Sequence, residues 1–166
     1  MNLESSTNKL ASQLAEALTA RQWMMATAES CTGGMIAAAC TDLAGSSNWF
    51  ERGFVTYSNE AKIECLGVDP ELIKAHGAVS EQVARAMAFG AVRHSHVQVG
   101  VAVTGVAGPA GGSFDKPVGT VWFGFSVHGR LSSETKRFDG DRAAVREATC
   151  AHVFRRLLEL VADTPM

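Results

Sequence analysis

Residues 97–105 read VQVGVAVTG, with valines at 97, 99, 101 and 103 and no charge. A short run that is apolar on both alternating faces reads as a central strand covered on both sides, the habit of parallel sheets. Upstream, WMMATAE (23–29) reads as a second buried strand, and CTGG (31–34) breaks it. RGFVTYS (52–58), with β-branched and aromatic residues, reads as a third. Helical patterns separate these strands. MIAAACTDLAG (35–45) is alanine-rich, so its helix can pack closely on a sheet, and Gly45 is its stop. NEAKIECLG (59–67) stops at Gly67. In VDPELIKAHG (68–77), Asp69 caps, Pro70 takes the first helical position and Gly77 ends the helix. Ser80 caps EQVARAMAFGAVRHS (81–95), with Val83, Met87 and Val92 near one face.

At the start of the chain, Leu10, Leu14 and Leu18 recur at helical spacing after the start signal Ser5-Ser6-Thr7. Beyond the central strand, VAGPAGGSFDKP (106–117) is a loop. VGTVWFGFSVH (118–128) and LSSETKRFD (131–139) flank Gly129-Arg130 and read as an antiparallel hairpin. The last helix spans 142–163, with Val145, Ala148, Leu157, Leu158 and Val161 as its apolar stripe. Strands alternating with helices, then a hairpin, predict an α/β fold: a mixed, mostly parallel sheet with helices on both faces. A length of 166 residues fits one domain over 1–166.

Composition narrows the function. The chain is 46% hydrophobic and 19% charged, with a formal net charge of -2. That balance gives no footprint for nucleic acid or an anionic membrane surface. The opening residues lack a basic segment followed by an apolar run, so no signal peptide is expected, and the chain reads as cytoplasmic. The four cysteines, Cys31, Cys40, Cys65 and Cys150, match no zinc spacing and read as free thiols. Neither a metal nor another cofactor is expected. Trp49 and Phe50, beside a turn, serve either the core or a contact between copies in a homo-oligomer. Trp23 and Trp122 read as core or rim.

In a parallel sheet, ligands bind beyond the carboxyl ends of the strands. Three loops rich in glycine or hydroxyls fall there: ESCTGG (29–34), TYSNEAK (56–62) and TGVAGPAGG (104–112). Ser30 is a candidate nucleophile, and Thr32, Gly33 and Gly34 open a helix whose N–H groups suit a phosphate or an oxyanion. The alternative is a tight turn with Ser30 or Thr32 as its cap. ESCTGG is not GxSxG, GxGxxG or a P-loop. None of the five histidines, at 76, 94, 96, 128 and 152, falls in a glycine-rich loop, so a Ser-His-Asp triad is unsupported. A lysine with its pKa lowered by burial is the remaining base, and Lys62, one turn past the strand, is the candidate. Its alternative is an exposed helix lysine. Tyr57 precedes it on the same loop. Thr104, Gly105 and Gly108 could contact a ligand through hydroxyl and amide groups. Arg142, in the first turn of the last helix, offers a fork for phosphate or an ion pair with Asp139 or Asp141. Glu29 and Asp42 are weaker candidates for orienting roles.

TAESCTGG, AGSSNWFERGFVTYSNEAK, HGAVSEQVA, VTGVAGPAGGSFDKPVGTVWF and GDRAAVR together resemble the CinA C-terminal domain family, from about Leu10 to the last helix. The resemblance implies a three-layer α/β/α sandwich. It implies metal-independent hydrolysis of the carboxamide of nicotinamide mononucleotide (NMN), giving nicotinate mononucleotide and ammonia. Ser30 is then the nucleophile, Lys62 the base and Tyr57 an assistant, with Thr32, Gly33, Gly34, Thr104, Gly105 and Arg142 around the substrate. The pyrophosphatase activity of longer members belongs to an additional N-terminal domain and is not carried over. Three rival readings stand beside this one: a non-catalytic nucleotide-binding module, an amidase or esterase for another small substrate, and, from the family's competence-linked name, an interaction partner in DNA uptake or repair, although the lack of a basic patch argues against direct DNA binding.

Overall fold

The structure, a computed structural model, describes residues 3–166, with side chains from Ser6 onward. Five strands form one sheet: β1 (Met25–Glu29), β2 (Phe50–Val55), β3 (Val99–Gly105), β4 (Thr120–Val127) and β5 (Arg130–Arg137). Six helices surround it: α1 (Leu3–Arg21), α2 (Met35–Thr41), α3 (Asn59–Leu66), α4 (Pro70–His76), α5 (Glu81–Arg93) and α6 (Arg142–Ala162). The strand order is β2-β1-β3-β4-β5. β1 runs parallel to both β2 and β3, whereas β3–β4 and β4–β5 are antiparallel. The sheet is mixed, with its ladders evenly divided, because the hairpin supplies both antiparallel pairings.

The alternation along β3 separates the layers. Val99, Val101 and Val103 join a core with Leu14 and Leu18 of α1, Ile36 of α2 and Phe154 and Leu157 of α6. Ala102 faces the other way, into a core with Leu66 of α3 and Val83, Met87 and Ala88 of α5. Three layers result. The second interface is closer because its sheet face is built from small residues. A Cβ added to Gly124 of β4 would lie 2.2 Å from the Ala84 carbonyl oxygen of α5.

Local signals set most boundaries. Asp69 accepts from the Glu71 N–H and Ser80 from the Val83 N–H. Gly67 ends α3 in the left-handed region, at φ 69°. Two expectations shift. Ser5-Ser6-Thr7 lies inside α1 rather than before it, since burial of the leucine stripe, not a cap, carries this helix. The hairpin turn is His128-Gly129, one residue earlier than Gly129-Arg130, with φ 48° and 83°. Positive φ at both central residues is the type I′ pattern, whose twist matches that of the flanking strands. Trp49 is buried in the larger core, Trp23 beside it, and Trp122 is half-buried.

Candidate active site

All three parallel strands end at one edge of the sheet, and the order reverses there: the chain leaves β1 for β2 on one side and returns to β3 on the other. This is the switch point at which α/β sheets open a crevice. A cavity of about 220 Å³ lies there. Ser30 and Cys31 after β1, Tyr57, Asn59 and Lys62 after β2, and Thr104 and Gly105 at the end of β3 line it. Ala78 and Val79 before α5, Ala107 in the loop after β3 and Arg142 of α6 complete the lining.

Ser30 extends the sheet by one residue. Its N–H donates to the Val103 carbonyl at 3.1 Å, while the Glu29 carbonyl accepts from the Thr56 N–H at 2.9 Å. The backbone is thereby fixed from both neighbouring strands just before the chain turns. Lys62 arrives from α3, whose start Ser58 caps by accepting from the Ala61 N–H. One turn into that helix, the Lys62 side chain points inward and is 1% exposed. Its Nζ donates to Ser30 Oγ at 3.1 Å and to the Thr56 carbonyl at 2.9 Å. Among the described residues it forms no ion pair. Burial without a counter-ion disfavours the ammonium, and the Lys62 pKa falls below the usual lysine value. A lysine amine whose pKa is lowered in this way, beside a serine hydroxyl, is suited to accept its proton.

Glu29 holds the turn from below. Its buried carboxylate accepts from Thr32 Oγ1 at 2.7 Å and the Ile36 N–H at 2.8 Å through Oε1, and from the Ala37 N–H at 3.0 Å through Oε2. An anion at the positive end of α2 is favourable and uses the donors that the sequence had offered to a phosphate. Gly34, at φ 108°, makes the entry to α2 in a conformation other residues rarely adopt. Thr32, Gly33, Gly34 and Gly108 therefore stand outside the cavity lining, with the Thr32 hydroxyl committed to Glu29.

Arg142 makes neither ion pair considered from the sequence. Its Nη1 donates to the Gly108 carbonyl at 2.9 Å and its Nη2 to the Tyr57 hydroxyl at 2.8 Å. Tyr57 is 61% exposed at the cavity mouth, with its hydroxyl on Arg142 rather than on Ser30 or Lys62. Thr104 Oγ1 donates to the Ala78 carbonyl at 2.8 Å, tying β3 to the segment before α5. Burial pushes the Cys31 thiol up to about 11, so it is protonated at neutral pH and not poised as a nucleophile. No histidine lines the cavity. Among the described residues, no three histidine, cysteine or carboxylate side chains cluster to hold a metal ion.

Sequence reading missed Asn59, Ala78, Val79, Ala107 and Arg146. Arg146 Nε donates to the Cys31 carbonyl and its Nη2 to the Thr32 carbonyl, each at 3.1 Å. The repeated arginine in GDRAAVR, one helical turn after Arg142, was the available signal.

A hydroxyl and an amine buried together at the switch point define an α/β domain with a serine–lysine pair at the carboxyl edge of its sheet. The family model described as the CinA C-terminal domain matches residues 7–161, and the chain belongs to this family. The nicotinamide-nucleotide amidohydrolase PncC of Enterobacter agglomerans is 54% identical over 144 residues, which are 86% of this chain and 88% of that protein. The PncC of Escherichia coli K12 is 50% identical over 155 residues, covering 93% and 94%. The crystal structure of a CinA superfamily protein from Klebsiella pneumoniae superposes with a TM-score of 0.93 at 37% identity, over 99% of this chain and all of that one.

Proposed function

We propose that this chain is a cytoplasmic nicotinamide-nucleotide amidase that hydrolyses the carboxamide of NMN through a Ser30 acyl-enzyme. The observation that carries the mechanism is the 3.1 Å contact between Lys62 Nζ and Ser30 Oγ, both enclosed at the switch point. The names of the amidohydrolase relatives support the substrate.

In this reading the carboxamide carbon lies against Ser30 Oγ. Neutral Lys62 takes the hydroxyl proton as the C–O bond forms. The tetrahedral intermediate collapses, the C–N bond breaks, and Lys62 gives its proton to the departing ammonia. Water then attacks the ester carbonyl, loses a proton to Lys62, and Ser30 recovers that proton as nicotinate mononucleotide leaves. The N–H of Cys31, directly past the nucleophile and in the cavity wall, and that of Thr32, the next residue, have no protein acceptor among the described residues and serve the oxyanion. The cavity is smaller than the roughly 300–1,000 Å³ of a pocket that encloses a whole ligand. It takes the pyridine ring, and the ribosyl phosphate lies at the mouth beside Tyr57 and Arg142. The remaining N–H donors of Arg142 bind the phosphate there.

Ammonia release from NMN, nicotinamide riboside, nicotinamide and NAD by the EDTA-treated protein tests this reading. The expected result is turnover of NMN, weaker turnover of the phosphate-free nucleoside and none of nicotinamide. Equal turnover of nicotinamide and NMN, or none of any, contradicts it.

A further inference from the structure

We propose that Arg146 is a positioning residue that polarises the peptide stabilising the oxyanion. The proposal rests on the Ser30 reading above. The turn after Ser30 is gripped from two directions. Glu29 takes the Thr32 hydroxyl and the first amides of α2. Arg146, from one turn inside α6, takes the carbonyls of Cys31 and Thr32 with adjacent donors of one planar fork. These residues are 115 and 114 positions apart in sequence, so the contact fixes α6 to the catalytic turn.

The two carbonyls belong to particular peptide units. The Cys31 carbonyl shares its peptide with the Thr32 N–H, and the Thr32 carbonyl with the Gly33 N–H. A cation on a carbonyl oxygen draws density from the amide nitrogen and strengthens its N–H as a donor. The Gly33 N–H is already spent on the Ser30 carbonyl at 3.0 Å. Of the two polarised donors, only the Thr32 N–H is without a protein acceptor among the described residues, and it is the one assigned to the oxyanion. A negative oxygen forming beside Ser30 gains from this more than the neutral carboxamide does, so the effect belongs to the rate rather than to binding. Lysine cannot reproduce it fully, since a point charge does not reach two successive carbonyls in one plane.

Arg146 also lines the depression it shares with Arg142 on α6, which suggests a rival role as a phosphate contact. Kinetics of Arg146→Gln and Arg146→Lys on NMN separate the two. Loss of polarisation lowers kcat about tenfold or more in the glutamine variant, short of the roughly 10²–10³ for deleting an oxyanion donor outright, with KM within about twofold. The lysine variant recovers part of kcat, and the pH–rate profile keeps its apparent pKa. A raised KM at unchanged kcat makes Arg146 a phosphate contact and overturns the proposal. Unchanged kcat with a lower thermal midpoint makes it a staple only, and a displaced apparent pKa means it acts on Lys62. Each of these also overturns it. If the glutamine variant loses its near-ultraviolet circular dichroism, the lysine variant decides by the same comparison: lowered kcat at unchanged KM supports the proposal, and wild-type kcat overturns it. Wild-type protein without NMN turnover overturns the amidase reading as well, whereas active wild type beside fully active variants overturns this proposal alone.

Discussion

Lys62 carries an unusual burden for a lysine, since its nitrogen is buried with, among the described residues, a hydroxyl and a carbonyl for its only partners. Burial lowers its pKa, and two pH effects follow. The value of kcat/KM for NMN rises with pH as Lys62 loses its proton and levels off below the usual lysine range; Lys62→Met loses both the activity and this profile. For stability the sign is fixed by proton counting. Between the lowered folded pKa and the unfolded value of roughly 10.4, the unfolded chain binds more protons, so stability rises with pH across that window. The raised Cys31 pKa acts oppositely above the unfolded thiol value. The contribution of Lys62 is therefore read as the difference between wild type and Lys62→Met in urea denaturation at a series of pH values. A difference that does not grow toward alkaline pH contradicts the assignment. Ser30 and Lys62 were legible because each lies within a turn of a strand end, in a loop rich in small or hydroxylic residues. The grip on the turn was legible only in part. Glu29 precedes Ser30 and drew notice as an orienting group, yet that it would take the Thr32 hydroxyl and α2 amides depends on the exact path of the turn. Arg146 reaches the turn from a helix more than a hundred residues away, a pairing that no local pattern encodes.

At the scale of elements, α5 approaches the sheet closely. Gly124 leaves room for the Ala84 carbonyl, and Gly100 for that of Ala88, where an added Cβ would lie 2.2 Å and 3.1 Å away. Backbone does not yield as a flexible side chain does. Gly124→Ala is expected to destabilise the protein by about 1–3 kcal/mol or more, measured by chemical denaturation. A stability equal to wild type would mean that α5 shifts freely. The joint matters to the site because Ala78 and Val79 lead into α5 and line the cavity, and Thr104 is tied to Ala78. Helix limits marked by Asp69, Pro70, Gly77 and Ser80 were readable from sequence, since caps are local chemistry. The hairpin turn was displaced by one residue because the pairing of Val127 with Arg130 puts His128 at the first turn position, where it takes the positive φ that the sequence reading had assigned to glycine. The small-residue face of the sheet was not seen as such. Glycine within a strand reads as a weakness until the partner helix is known.

Across the whole molecule, parallel and antiparallel halves have different tasks. The parallel half, β2-β1-β3, brings three strand ends to one edge and makes the crevice. The antiparallel half closes the sheet with β5, whose exposed Arg130, Lys136 and Arg137 discourage pairing with another edge. No helix among the described residues is long and apolar enough to cross a membrane. The fold class followed from the order of elements, and the convergence of three loops followed from the fold class. Which atoms meet at that edge did not, because a contact such as Lys62 with Ser30 depends on the angle of α3 against the sheet. The central claim is that this architecture serves Ser30 as a nucleophile. It is tested most directly by ammonia release from NMN by wild-type and Ser30→Ala proteins side by side, with nicotinate mononucleotide quantified. The account expects wild type to form the two products in equal amounts and the variant, with unchanged thermal midpoint, to lose about 10³-fold or more of that rate. A Ser30→Ala protein that deamidates NMN at the wild-type rate contradicts it.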